Sequence, residues 1–371
     1  MTVDPVPRDV ATPAVPPGVA TPAILLDLAV VDANIDRMQA HARSSGLDLR
    51  PHVKTHKSIE VGRRQLAAGA AGITAGTMGE VEVFAAAGFD DIFFAYPMFA
   101  TRERAERLRR VRDVARVRVA LESRPAADAL AAAFGRSDPL EVVIEVDCGA
   151  RRCGVVPSEA GELGAYARSV GLEPIGAFTY PGHGDRGPDA PEQASRDEVD
   201  ALATAAASLR AAGIEPVVLS GGSTPTASRS ARAPLTELRP GEYVYNDLGK
   251  LRLGACGVGD LALFVAATVV SDAIPGQVIV DVGTKALGRE GSEQRGYGTA
   301  PAVPGSVLTK LNEYHGYLAV PDGVPRPRVG EVLAIAPNHV CPAVNLFDDM
   351  LVHEAGRVIG RWPVDARGHL T

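Results

Sequence analysis

The sequence predicts an α/β protein in which a TIM-type (β/α)8 barrel precedes a C-terminal, mostly antiparallel β domain. From Ala23 onward, short β-branched runs alternate with Ala-rich amphipathic stretches, and the runs are continuously apolar, as in strands of a parallel sheet buried on both faces. After about Leu251 long helical patterns stop, and alternating strand patterns separated by Pro and Gly replace them. About eight strand–helix units favour a closed barrel, with an open doubly wound sheet as the alternative.

The elements of the predicted barrel follow one another in a regular order. The candidate strands are Ala23–Leu28, Leu49–Lys54, Gly72–Gly76, Asp91–Ala95, Arg116–Leu121, Glu141–Asp147, Glu173–Tyr180 and Pro216–Ser220. The candidate helices between them include Asp32–Ala42, Ile59–Ala68, Gly79–Ala87, Pro125–Phe134 and Arg196–Ala212. Glycines follow several helical stretches, as helix C-caps require: Gly46, Gly69, Gly88, Gly171 and Gly213.

Outside the barrel, the sequence predicts a second domain and a leader. Candidate strands of the second domain are Ala262–Val270, Gln277–Val282, Val307–Leu311, Tyr314–Val320 and Glu331–Ile335. The first residues are rich in Pro and contain no apolar run of signal-peptide length, so we expect a partly disordered leader there. The predicted division is therefore a flexible leader at 1–20, a barrel domain at 21–250 and a β domain at 251–371.

The bulk composition excludes several classes of protein. Of the 371 residues, 46% are hydrophobic and 22% charged, and the net charge of −7 attracts neither nucleic acid nor an anionic membrane. The arginine-rich run from Arg102 to Arg118 has helical spacing, which favours a solvated helix face over a nucleic-acid patch. The 4 cysteines are dispersed and suit a reducing compartment. No apolar run spans a bilayer, so we expect a cytoplasmic protein.

A lysine stands where the second candidate strand meets its loop. In a barrel, strand ends point side chains into the active-site mouth. Lys54, in the segment Arg50-Pro51-His52-Val53-Lys54-Thr55-His56-Lys57, is such a residue. A desolvated lysine amine is neutral and nucleophilic, as a bond to an aldehyde cofactor requires. By composition alone, this segment is better interpreted as a basic surface loop.

Two Gly-rich turns follow later strands. In Asp147–Gly154, glycines permit close backbone approach, and Arg152 can project toward an anionic oxygen. In Leu219–Thr224, small residues expose backbone N–H groups that suit a phosphate. Each turn taken alone is equally consistent with an ordinary loop.

His339 and Cys341 form a metal-ligand pattern in the second domain. On an extended segment, residues two apart face the same side, so both side chains can reach one ion. Histidine and cysteine are good zinc ligands, and an ion held by few protein ligands keeps open positions for catalysis. A buried cysteine beside a hydrogen-bonded histidine is the alternative.

Taken together, these segments resemble the D-serine dehydratase and D-threonine aldolase family, on the alanine racemase type of pyridoxal-phosphate (PLP) fold. The resemblance runs from about Thr21 to Gly368. The order and separation of the following pieces carry it: Pro51–Lys57, Asp147–Gly154, Thr179–His183, Gly221–Thr226, Arg239–Tyr243, Asp281–Lys285 and Pro337–Pro342.

The resemblance implies a role for each site residue. Lys54 resembles the lysine that holds the cofactor covalently, Arg152 one near its phenolic oxygen, and Tyr180 a side chain packed on its ring. His183 is a candidate polar group over the substrate, Arg239 aligns with a racemase arginine that faces the pyridine nitrogen, and His339 and Cys341 match the metal pair. The implied phosphate-cup residues are Ser220, Gly221, Gly222, Ser223 and Thr224, with Gly241 and Tyr243 nearby.

The second domain also bears on the reaction. Racemases of this fold use a second-domain tyrosine as a base, and we find no matching motif, which favours chemistry at the substrate's β-carbon. A His-x-Cys pair resembles the zinc-using dehydratases of the family, and a His-x-Asp pair the aldolases. We therefore expect a D-serine dehydratase-type lyase that acts on D-3-hydroxy amino acids. Its expected cofactors are PLP and zinc, with manganese as the alternative metal, and we expect a homodimer. The alternatives are a D-threonine aldolase-type enzyme and a non-catalytic PLP-binding protein.

Overall fold

The computed structural model describes Val10 and residues 13–292 and 294–371. Its strands are β1 Ala23–Asp27, β2 Asp48–Leu49, β3 Ile73–Ala75, β4 Asp91–Phe94, β5 Arg116–Leu121, β6 Glu141–Glu145, β7 Glu173–Phe178, β8 Val218–Gly221, β9 Glu237–Leu238, β10 Leu263–Ser271, β11 Gln277–Val280, β12 Gly298–Thr299, β13 Val307–Leu311, β14 Gly316–Ala319, β15 Val332–Pro337, β16 Asp349–Glu354 and β17 Arg357–Pro363. Its α-helices are α1 Leu28–Ser44, α2 Ile59–Ala68, α3 Met78–Ala86, α4 Arg102–Arg112, α5 Arg124–Phe134, α6 Ala160–Val170, α7 Ala190–Ala211, α8 Ala227–Ser230, α9 Leu248–Arg252, α10 Thr284–Leu287 and α11 Val340–Val344.

The chain forms two compact units. The barrel unit consists of Arg37–Lys54, Val61–Gly241 and Gly368–Thr371. The sheet unit consists of the described residues up to Asp36, together with Thr55–Glu60 and Glu242–Arg367.

The barrel unit contains eight parallel strands in the order β2-β9-β8-β7-β6-β5-β4-β3. A parallel bridge between His52 and Thr74 joins the two ends of this order and closes the ring. Two backbone bonds make this link: Val53 N–H donates to Thr74 O over 2.9 Å, and Thr74 N–H to Pro51 O over 2.8 Å. The predicted closed barrel is confirmed, and the open sheet is excluded for this unit.

The barrel forms because its strands are apolar on both faces. Strand β6 is buried at every position after Glu141, as expected for a strand with helices outside and side chains inside. Inside, Phe93 and Phe178 meet edge to face with ring centroids 5.0 Å apart. Helix α6 ends at Gly171, as the sequence predicts. The φ of Gly171 is 103°, a left-handed conformation that glycine adopts most easily.

The sheet unit contains a nine-stranded sheet with the path β13-β14-β11-β10-β1-β16-β17, and β15 pairs with both β10 and β12. All its ladders are antiparallel except that between β1 and β16. The predicted antiparallel domain is confirmed. Strands β16 and β17 were not among the predicted elements.

One predicted barrel strand belongs elsewhere. The run at Ala23–Asp27, expected as the first barrel strand, pairs with β10 and β16 in the sheet unit. Its central residues Ile24, Leu25 and Leu26 are fully buried, so its continuous apolar pattern suits the middle of either sheet. The eighth barrel strand is instead β9, whose two residues are too few to produce a recognisable pattern.

The unit boundaries differ from the predicted division in several places. The sheet unit includes β1 and the segment Thr55–Glu60, and the later boundary falls between Gly241 and Glu242. In the predicted leader, residues 1–9, 11 and 12 lie outside the described residues. Val10 is buried in a core cluster that contains Leu25, and Val15 and Val19 pack against it, so these leader residues are not free of the fold. In the described part of the chain, no helix is long and apolar enough to cross a membrane.

Candidate active site and metal centre

Lys54 lies where the sequence predicts, in the turn that follows the barrel segment containing His52. Its backbone N–H donates to His52 Nδ1 over 3.3 Å, which fixes the turn. The side chain is exposed, so this structure does not supply the desolvation expected from the sequence. Lys54 Nζ lies 5.3 Å from the centre of the Tyr180 ring.

Tyr180 is the common neighbour of two predicted cofactor residues. Arg152 Cζ lies 4.8 Å from the centre of its ring, on the scale of a cation–π contact. The ring also packs on the backbone at Gly182, where an added Cβ would approach Tyr180 Cε1 to 2.7 Å. The structure thus brings Lys54, Arg152 and Tyr180 together, as the sequence predicts.

The loop that carries Arg152 is held by its first residue. Asp147 Oδ1 accepts hydrogen bonds of 3.0 Å from the backbone N–H groups of Gly149 and Arg151. The backbone at Gly154 has φ of 102°, and an added Cβ would meet Val146 at 2.6 Å. Gly149 also has a positive φ, of 122°. Both glycines of this loop therefore adopt a backbone conformation that favours glycine, as the sequence predicts.

His183 forms a pair with a residue that sequence reasoning missed. Its Nε2 lies 3.0 Å from Asp197 Oδ2, and Gln193 Nε2 donates to the other oxygen of Asp197 over 2.8 Å. Nδ1 is buried and has no hydrogen-bond partner among the described residues. An added Cβ at Gly149 would lie 3.3 Å from the ring, so the glycine loop packs directly on His183.

A buried glutamate holds the Gly-rich turn after β8. Glu198 accepts a 2.8 Å bond from Gly222 N–H and another from the Ser230 hydroxyl. Burial raises the pKa of Glu198 against the opposing effect of these bonds. Ser223 N–H donates to Thr226 Oγ1 over 3.0 Å. Gly221, Gly222, Ser223 and Thr224 are all buried in this turn.

Ser220 and Arg239 bind each other inside the barrel. The Ser220 hydroxyl donates to Glu237 Oε1 over 2.6 Å and accepts from Arg239, which also donates to Thr179 O over 2.7 Å. Arg239 packs over the rings of Phe93 and Phe178. The Ser220 hydroxyl is thus held within the barrel by Glu237 and Arg239.

The same buried network continues to other charged residues. Glu237 lies 3.0 Å from Arg50 Nε and 3.6 Å from Arg118 Nη1. Burial acts to raise the pKa of Glu237, but Arg50 and the Ser220 hydroxyl outweigh it, so the pKa is lowered. Two predicted cup residues remain. Gly241 belongs to the barrel unit, and Tyr243 is buried in the sheet unit.

The barrel unit contains a group of close donor atoms contributed by Glu122, Glu145 and Cys153. Glu145 ends strand β6 and is 3% exposed, and its Oε2 lacks a hydrogen-bond partner in the described chain. Burial raises the pKa of Glu145 to about 7, with Arg152 opposing the shift. Gly154 N–H donates to Glu122 over 2.8 Å.

His339 and Cys341 meet in the sheet unit, together with Glu242. One donor atom from each of the three lies within 4.8 Å of the others. His339 Nδ1 is 2.8 Å from Glu242 Oε1 and 3.2 Å from Asp247 Oδ2. The Cys341 thiol donates to Thr55 Oγ1 over 3.3 Å.

The local structure of this pair differs from the expected extended segment. His339 is extended, with φ −145° and ψ 120°, but it is the cap residue of helix α11, and Cys341 lies in the first turn of that helix. Strand alternation therefore does not explain their proximity. Sequence reasoning also missed Glu242 as a donor, although it stands in a segment that supports the resemblance, because its partner residues are remote in sequence.

The donor set fits a divalent cation. Burial acts to lower the pKa of His339, but the close polar groups of Asp247, Cys341 and Glu242 outweigh it and raise the pKa. Glu242 Oε1 is buried and makes no hydrogen bond to the described residues, although it lies close to the ring. Nitrogen, thiolate and carboxylate donors around a positive charge are those that zinc-type ions use.

Comparison with known proteins identifies the family. Residues 26–248 match the alanine racemase N-terminal domain, and residues 262–353 match a serine dehydratase domain. D-threo-3-hydroxyaspartate dehydratase of Delftia sp. (strain HT23) is 39% identical over 344 residues, which are 86% of this chain and 90% of that enzyme. The chain belongs to the D-serine dehydratase and D-threonine aldolase family. This family consists of PLP-dependent enzymes of fold type III, and the chain is a lyase of it.

Further family members show the same architecture. The D-threonine aldolase of Arthrobacter sp. is 33% identical over 354 residues, 93% of this chain and 92% of that enzyme. The solved structure of the Delftia dehydratase has a TM-score of 0.86 and 36% identity, and covers 93% of this chain and 97% of its own. A D-threo-3-hydroxyaspartate dehydratase with one cysteine replaced by alanine was solved in a metal-free form, which implies that the dehydratase itself binds a metal.

Proposed function

We propose that this family member is a PLP- and zinc-dependent lyase that eliminates water from D-3-hydroxy amino acids to give an enamine, which takes up water again as it hydrolyses to a 2-oxo acid and ammonia. One observation carries the proposal: Cys341, two residues after His339, contributes a thiol to the donor cluster of the sheet unit. A thiolate favours zinc over harder ions such as manganese. The D-3-hydroxy substrate class is supported by the named activities of the relatives.

The barrel unit supplies the residues that would hold the cofactor. Lys54 is the proposed covalent attachment point, Arg152 the partner of the phenolic oxygen and Tyr180 the side chain against the ring. The proposed phosphate contacts in this unit are the buried segment from Ser220 to Thr224 and Gly241; Tyr243, which the resemblance also implies, belongs to the sheet unit. The exposed Lys54 and Arg152 give this surface positive charge that suits an anionic cofactor.

The chain's own residues then manage protons. When bound, PLP supplies an electron sink that acidifies the bond to the α-hydrogen. Lys54 Nζ is the proposed base that accepts the α-proton. His183, fixed by Asp197, is the proposed polar group over the substrate. Arg239, held by Ser220 and Thr179 inside the barrel, is the proposed residue that faces the pyridine nitrogen.

The sheet unit supplies the residues that would hold the metal. We propose His339 and Cys341 as ligands, with the carboxylate of Glu242 beside them. Bound zinc would supply Lewis acidity to the substrate's β-hydroxyl, which helps hydroxide to leave. Thr55, the residue after Lys54 in the chain, lies against Cys341 and limits the positions of its sulfur.

Retro-aldol cleavage to glycine and an aldehyde is the second candidate. It is favoured by the 33% identity to a D-threonine aldolase over nearly the whole chain. The same metal site serves it if a base takes the β-hydroxyl proton, the bond between Cα and Cβ breaks to release the aldehyde, and Cα is then protonated to give glycine. A non-catalytic PLP-binding protein is disfavoured because the chain carries the matched second domain.

A substrate panel tests the proposed reaction. The enzyme is incubated with D-serine, D-threo-3-hydroxyaspartate, D-threonine and D-3-phenylserine, and oxo acid with ammonia is measured separately from glycine with aldehyde. We expect oxo acid and ammonia to predominate, and the L-isomers to react at least about tenfold more slowly. Glycine as the main product would establish the aldolase instead, and equal turnover of L-serine would contradict D-selectivity.

We also propose a homodimer, by analogy with the fold. Light scattering on the purified enzyme would then give twice the chain mass of 38.7 kDa. A mass equal to one chain at micromolar concentration would contradict this proposal.

A further inference from the structure

Asp247 is the most completely bound carboxylate beside the donor cluster. Its side chain is fully buried. Oδ1 accepts a 2.8 Å bond from Lys250 N–H and so caps the start of helix α9. Oδ2 accepts a 3.0 Å bond from Val340 N–H and lies 3.2 Å from His339 Nδ1. One carboxylate thus binds two segments that are 92 residues apart in sequence.

These contacts restrict the protonation of the His339 ring. An ionised carboxylate oxygen only accepts hydrogen bonds, so a stabilising contact with Nδ1 requires a proton on that nitrogen. In the neutral ring the second nitrogen, Nε2, then carries the lone pair that binds a metal. Metal-ligating histidines commonly hold their orientation through such a bond from the other ring nitrogen to a carboxylate.

Glu242 is the competing partner of the same nitrogen. Its Oε1 is nearer to Nδ1, at 2.8 Å, but this buried oxygen has no hydrogen bond with acceptable geometry among the described residues. Its Oε2 lies 3.2 Å from Lys250 Nζ, which offsets part of the charge. Asp247 satisfies the hydrogen-bond geometry and is fixed by two backbone N–H groups, so it is the better acceptor for the ring.

We propose that Asp247 is a positioning residue for the metal: it accepts the His339 Nδ1–H and thereby presents Nε2 to the divalent cation. This inference rests on the proposed role of His339 as a metal ligand. It adds a residue that touches neither substrate nor cofactor and acts through the ligand. The same carboxylate fixes the main chain at Val340, so it sets both the position and the rotation of the ring.

Asp247→Asn is the sharpest variant. Asparagine caps a helix as well as aspartate does, so α9 keeps its start. Its amide, however, has a single acceptor oxygen. If that oxygen binds Lys250 N–H, the NH2 group faces the N–H of Val340 and Nδ1 of His339, and the ring loses its acceptor. We expect zinc affinity to fall 10- to 100-fold, as for other outer-shell changes. Competition with a chromophoric chelator measures this, and the visible absorbance of bound cofactor reports an intact barrel.

Two further variants serve as controls. Asp349→Asn removes a carboxylate of the sheet unit that pairs only at the surface with Arg361, and zinc affinity should stay within about twofold of wild type. Glu242→Gln tests the competing partner. It is expected to weaken zinc binding without changing which ring nitrogen of His339 carries the proton.

Nitrogen NMR of the wild-type enzyme with labelled histidine reads that proton directly. The His339 signal is assigned by its absence in His339→Gln. We expect a protonated Nδ1 and zinc on Nε2. Zinc on Nδ1, unchanged affinity in Asp247→Asn, or a tautomer change in Glu242→Gln alone would overturn the inference. These readouts do not depend on turnover: an enzyme that yields glycine would contradict the proposed function while leaving the role of Asp247 intact.

Discussion

The two candidate sites have opposite electrostatic character. In the barrel unit, the exposed cations Lys54 and Arg152 approach the ring of Tyr180. In the sheet unit, Glu242, Asp247 and Cys341 surround His339. The first arrangement suits an anionic phosphate cofactor, and the second suits a cation. This difference in charge would direct an anionic ligand to one site and a cationic ligand to the other.

The two sites also differ in the free energy that their charged groups cost the folded state. Exposed cations remain hydrated and cost little. Grouped acidic side chains are unfavourable when buried without a compensating positive charge. In the sheet unit the raised pKa of His339 allows a proton to supply that charge, and a metal would supply it more strongly. A group that is costly for folding and unnecessary for packing is typical of a functional site.

The largest expected effect concerns the barrel site. Lys54→Ala should abolish the visible absorbance of covalently bound PLP and all turnover, because the proposed attachment point and base are lost together. The matched control is Lys285→Ala, which removes an exposed lysine paired with Glu313. Peptide mapping after borohydride reduction should find the cofactor on Lys54. A tag on Lys57 or Lys285 would show that the attachment site is misassigned.

An intermediate effect is expected at the metal cluster. Cys341→Asp replaces a soft ligand by a hard one, so manganese should become the better activator and the share of glycine among the products should rise. Turnover with zinc should fall at least about tenfold. Cys256→Ala, in the same unit, is the control and should keep the wild-type ratio. An unchanged ratio in Cys341→Asp would remove the reason for preferring elimination.

A smaller effect is expected from Glu145. Its pKa rises from 4.5 to about 7 on folding, so its stabilising contribution is complete below pH 4.5 and is lost as the pH rises through 7. Glu145→Gln, which mimics the protonated acid, should gain roughly 2–3 kcal/mol relative to wild type between pH 5 and 8. Urea unfolding of the cofactor-free proteins measures this. Glu141→Gln, at the partly exposed start of the same strand, should run parallel to wild type, and identical behaviour of Glu145→Gln would contradict burial as the cause.

The sequence predicted the barrel well because its signal is local and repeated. Each strand from β3 to β8 appeared as an apolar run between helical patterns. The pattern did not distinguish β1, which is equally apolar but lies in the other sheet. Strand β9 is too short to be recognised from two residues. Strand partners depend on long-range pairing, which a local apolar pattern does not encode.

The site was predictable to a similar extent. His339 and Cys341 were found because they lie two residues apart, although the segment is a helix start rather than a strand. Asp247 and Asp197 were missed because each reaches its histidine only through the fold. Ser220 was assigned to the phosphate cup from its motif, and its bond to Glu237, 17 residues away on a neighbouring strand, is visible only in the fold.

Removal of the metal from purified enzyme tests the central claim, that PLP and zinc are bound by separate groups of residues and both are required. After exhaustive chelation, verified by elemental analysis, we expect the visible absorbance of PLP to persist and oxo-acid formation from D-serine or D-threo-3-hydroxyaspartate to stop. Added zinc should restore the activity to wild type but not to His339→Ala, which lacks a proposed ligand. Full activity in the verified metal-free enzyme would contradict the account.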